Sequence, residues 1–82
     1  MTTADTNAIA ELTAKIQGTA NAQSKADLLV SRGKLLWSLQ RRREAINDYT
    51  EAAALYPAGP APALLEHSME ILNFFNPDLY NP

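Results

Sequence analysis

The chain has 82 residues, a net charge of −2, no cysteine and one histidine. That length admits one domain, burying roughly 60–65% of its unfolded surface, and the lack of cysteine excludes disulfides and thiolate metal sites. The lone His67 cannot build a metal site and reads as a helix-surface side chain, and the acidic balance argues against general affinity for nucleic acid.

The opening MTTADTNAIA has neither the basic start nor the apolar run of a signal peptide. The longest apolar run, Ala52–Tyr56, is far short of a membrane span. Both observations make the cytoplasm the expected compartment. The first predicted helix covers 5–17, where Ile9, Leu12 and Ile16 share a face and Glu11 precedes Lys15 by one favourable turn. Gly18 and Asn21 offer a stop, and Ser24 is the expected cap of the next helix. That second helix is predicted over 24–39, with a stripe of Leu28, Leu35 and Leu39 flanked by Leu29 and Leu36, and it runs into Arg41, Arg42 and Arg43. A third helix follows over 43–55. Pro57, Gly59 and Pro60 then break the chain, and Pro62 fits the first turn of a fourth helix over 61–75. Asn76-Pro77 ends it. No strand pattern occurs, so the expected fold is all-α, four antiparallel helices joined by short loops.

The second and third helices carry a spaced set of residues. Leu29, Gly33, Leu36, Ala45, Tyr49, Ala52 and Pro57 stand where a tetratricopeptide repeat places its large, small, aromatic and terminal proline positions. The physical logic is close helix approach. Glycine inside a helix costs about 1 kcal/mol against alanine, and tight packing is the usual compensation. The segment 26–59 thus resembles a single tetratricopeptide motif, with 1–23 as an N-terminal capping helix and 60–82 as a C-terminal helix and aromatic tail of one domain. The stretch from Arg32 to the end of the chain also resembles small single-repeat proteins of this family from Bacteroidetes-type bacteria. Two positions depart from the pattern: Arg32 replaces a leucine, and Gln40 replaces the loop glycine. A lone repeat does not bury both its faces, so the flanking helices are expected to cover it.

Catalytic chemistry finds no footing in the residues. One histidine and no cysteine give no nucleophile–base arrangement, and Gly18, Gly33 and Gly59 form no phosphate loop. Glu66 and Glu70, one helical turn apart, read as a solvated face. The expectation is a non-enzymatic protein without cofactor or metal. The resemblance implies an interaction module for a protein or peptide, with Asp27, Val30, Lys34 and Trp37 on the face that lines the groove in such repeats. Trp37 is then either a binding anchor or core. A carboxylate clamp would need Lys and Asn where Val30 and Lys34 stand, which argues against that ligand. The alternative is a homodimer through Leu64, Ile71, Phe74 and Phe75 on the apolar C-terminal helix. The arginine band reads as the cationic end of the second helix, stabilised by the helix dipole. Three contacts are expected: Gly33 against Ala45 or Tyr49, Arg32 paired with Asp48 over a buried stem, and Leu79 or Tyr80 docked on the helical body.

Overall fold

The computed structural model describes residues 2–75, with side chains to Asn73. Four helices follow in order: α1 (Thr3–Gln17), α2 (Ala22–Ser38), α3 (Arg42–Leu55) and α4 (Ala61–Phe75). No strand occurs among the described residues. Each helix packs on its successor, and the α2–α3 hairpin is the most extensive pair. No helix among the described residues is long and apolar enough to cross a membrane.

The helix ends follow from local chemistry. Thr2 and Asp5 form a reciprocal capping box: the Thr2 hydroxyl accepts from the Asp5 N–H at 3.2 Å, and the Asp5 carboxylate accepts from the Thr2 N–H at 3.3 Å. α2 starts earlier than expected because Asn21, not Ser24, caps it. The Asn21 side chain accepts from the Ser24 N–H at 2.9 Å, so Ser24 already lies within the first turn. At the other end of α2 the Arg41 N–H donates to the Leu36 carbonyl at 2.9 Å and the Gln40 N–H to that of Trp37 at 3.1 Å. This paired closure needs a left-handed residue, and Gln40 supplies it with φ 67°. The turn is therefore made without glycine, at some backbone cost.

The arginine band is a correction. α2 ends at Ser38, so Arg41 is the N-cap of α3 and Arg42 lies in its first turn with Arg43, and neither Arg41 nor Arg42 lies in the last turn of α2. The helix dipole disfavours cations there. Glu44, in the same turn, offsets them and accepts from Arg41 Nε at 3.0 Å.

Two small clusters make the core. Ile16, Ala26, Leu29, Val30, Ala52 and Ala61 form one, and Leu36, Ala45 and Tyr49 form the other, with Leu64 packed against both. Of the repeat positions, Leu29, Gly33, Leu36, Ala45, Tyr49 and Ala52 are buried, and Pro57 is exposed beyond the end of α3. A Cβ on Gly33 would stand 2.6 Å from Tyr49 Cε1, so the Tyr49 ring lies directly on the α2 backbone. The second close approach is at the α3–α4 turn, where a Cβ on Gly59 would meet Tyr56 Cδ2 at 2.6 Å.

Candidate functional site

A cleft of about 370 Å³ opens where α1, α2 and α3 meet. Its polar side is built around Arg32, whose Nε and Nη2 both donate to the Asp48 carboxylate at 2.8 Å. Its Nη1 donates to the Thr13 hydroxyl oxygen at 3.1 Å. Thr13 spends its own proton on the Ile9 carbonyl at 2.7 Å, which leaves a lone pair for Arg32. Ile9 and Leu36 supply the apolar walls, and Asn47 and Glu44 the rim. Asp48 is 6% exposed, a buried carboxylate satisfied by the bidentate fork of the guanidinium.

The electrostatics follow this geometry. Hydrogen bonding to Asp48 holds the Arg32 pKa above its ordinary value, against an opposing contribution from burial and with help from the Asp48, Glu51 and Glu44 charges. Burial raises the Tyr49 phenol, and the Asp48 charge raises it further. Each of the three guanidinium nitrogens donates one hydrogen bond, so the network joins α1, α2 and α3. Among the described residues no group of His, Cys, Asp or Glu is gathered as a metal site would need. The expected Arg32–Asp48 pair and the expected Gly33–Tyr49 contact are both present.

The α2 face expected to bind a partner divides. Asp27 and Lys34 are exposed, and Trp37 is half-buried. Val30 is 7% exposed and belongs to the core cluster with Leu29, so it is corrected from groove residue to core. Trp37 is partly core. One part packs against the cluster of Leu36, Ala45 and Tyr49, and the Arg42 guanidinium lies 5.0 Å from its ring centroid. Arg42 Nε is buried without a hydrogen-bond partner, so stacking is what holds the group in place. Sequence reasoning missed this stack. The two residues lie five apart across a turn, and nothing in their spacing marks them as neighbours.

On α4, Leu64 is used inside the chain and Ile71 is half-buried. The side chains of Phe74 and Phe75 lie outside the described residues, as do Leu79 and Tyr80 with the expected docking of the tail. Comparison with family models, with curated proteins and with solved structures gives no match, so the chain is characterised by its own geometry alone.

Proposed function

We propose that the chain is a non-enzymatic protein–protein interaction module of tetratricopeptide type, acting in the cytoplasm, with Trp37 as the anchor for a protein segment. The observation that carries this reading is the Arg42 stack on half-exposed Trp37, one turn from exposed Lys34. Trp and Arg are enriched in the energetic centres of protein interfaces, where their planar groups bury large area and make directed contacts. The buried small residues Gly33 and Ala45 support the repeat resemblance, since they let α2 and α3 approach closely. The test is site-specific photo-crosslinking from Lys34, with Glu11 on α1 as the control position, in the organism that makes the protein. A partner captured from Lys34 but not from Glu11, and lost with Trp37→Ala, supports the reading. Capture indifferent to Trp37→Ala counts against it.

A symmetric dimer through Leu64, Ile71, Phe74 and Phe75 is the second reading. It is favoured by the apolar surface α4 retains: Met69 is 36% exposed, and Ile71 and Leu72 are half-buried. Light scattering coupled to size exclusion distinguishes one chain from two.

A further inference from the structure

We propose that the Trp37 surface receives the outer face of α4 from a second copy of this chain, in a head-to-tail contact held by opposite charge. The inference rests on Trp37 being a binding anchor, as argued above, and names what it binds. On the receiving side, exposed Lys34 stands one turn from Trp37, Arg42 lies over the ring, and exposed Arg43 follows in the chain. On the donating side, Glu66, Met69 and Glu70 fall at i, i+3 and i+4 of α4, and all three are exposed.

The direction of that acidic face decides what it can reach. Ala61 and Ser68, 1% and 6% exposed, mark the inner side of α4. At 100° per residue, Glu66 and Glu70 lie on average about 170° around the helix from them. They point away from the chain's own body. Among the described residues no ion pair engages Lys34, Arg43, Glu66 or Glu70.

The two faces are complementary. Carboxylates meet cations, and the Met69 thioether, on the flank of that face about 60° around the helix from Glu66, meets the uncovered part of the Trp37 ring. Cations concentrate in 32–43 and acids dominate thereafter, so each face carries charge of mainly one sign. Pairing either face with its own copy would set like charges against each other. The contact is therefore heterologous, and each copy keeps one face of each kind for a further neighbour.

The experiment is light scattering on the full chain over a range of concentrations. At low salt the mass should rise with concentration and fall back to one chain near about 0.5 M salt, where screening reaches a few Å. E66Q/E70Q and K34Q/R42Q should each remain single chains. Mixed in equal amounts they should pair and stop at two, because each contributes one intact face. K34Q alone, which touches no packing, should weaken association several-fold, and circular dichroism melts check that each variant is folded. A parent chain that stays monomeric at low salt overturns the proposal. So does a K34Q/R42Q variant that still pairs with itself, which would indicate a symmetric α4 dimer. A foreign protein crosslinked at Lys34 of a monomeric chain also overturns it, while leaving Trp37 as an anchor.

Discussion

Gly33 and Tyr49 set the α2–α3 distance between them, because any side chain at position 33 must displace an aromatic ring. Gly33→Leu is expected to overpack the hairpin and cost about 1–3 kcal/mol. A thermal melt equal to that of the parent would mean the two helices do not meet there. Tyr49 carries a second consequence. Its phenol is raised above the ordinary range by burial, so in the folded chain it keeps its proton after an unfolded tyrosine has lost one. The unfolded state then binds fewer protons, and stability falls as pH rises above about 10 toward the folded-state value. Below that range the contribution is fully present. Tyr49→Phe should leave the melting temperature near neutral pH almost unchanged and make the alkaline decline shallower. The Arg32–Asp48 pair behaves asymmetrically. Asp48 is the more buried partner, so Arg32→Leu alone strands a carboxylate and should destabilise. Arg32→Leu combined with Asp48→Leu should recover much of that loss, because two apolar groups need no partners. A double-mutant cycle in denaturant measures the difference, and additive losses would show that the pair is not coupled.

At the level of the helices, Gln40 is the position where a better residue is easiest to name. A left-handed backbone costs a non-glycine residue about 1–2 kcal/mol, and Gln40 adopts one with φ 67°. Glycine removes that cost but gains freedom in the unfolded chain. Gln40→Gly should therefore stabilise by about 0.5–1 kcal/mol net, and raise the melting temperature by a few degrees. An unchanged or lowered melting temperature would imply that Gln40 is held by more than its backbone. The existence of all four helices was legible, because Ile9, Leu12 and Ile16 on α1 and the leucines of α2 keep a helical period that no strand shares. Their ends were less so: Asn21 and Ser24 are both good caps, and only the folded chain selects one. The Arg32–Asp48 pair could be foreseen because a charge on the inward side of α2 must find a counter-charge. The Trp37–Arg42 stack could not, since it depends on a turn geometry that Gln40 does not advertise. Val30 was misplaced because α2 buries a wide arc, with Ala26, Leu29, Val30, Gly33 and Leu36 all inside.

For the whole molecule, the dimensions are telling. The Cα envelope measures 41 × 33 × 18 Å, a slab one helix hairpin thick. A slab has little interior, and among the described residues Leu29 is the large side chain that is fully enclosed. Stability in such a shape leans on whatever covers its faces, so association should reinforce folding. The melting temperature is expected to rise with protein concentration at low salt, since binding that favours the folded state stabilises it by mass action. E66Q/E70Q should flatten that dependence. A parent melting temperature independent of concentration would show that the slab is stable alone.

The three-way junction at Arg32 also has a kinetic meaning. α1 buries Ile16, packs Ile9 against the second cluster, and among the described residues is tied to the hairpin by one side-chain hydrogen bond, Arg32 to Thr13. Few apolar contacts and one side-chain tether describe a segment that opens by itself. Amide hydrogens of α1 should exchange with solvent at a lower opening free energy than those of α2 and α3, which would release only on global unfolding. Thr13→Val keeps the shape, removes the tether and should widen the gap, accelerating exchange in α1 while leaving the hairpin amides slow. Uniform exchange across all three helices would instead make the chain a single cooperative unit. If α1 does open first, the walls that Ile9 gives the cleft leave with it, and the volume between the helices exists only as long as the N-terminal helix stays latched.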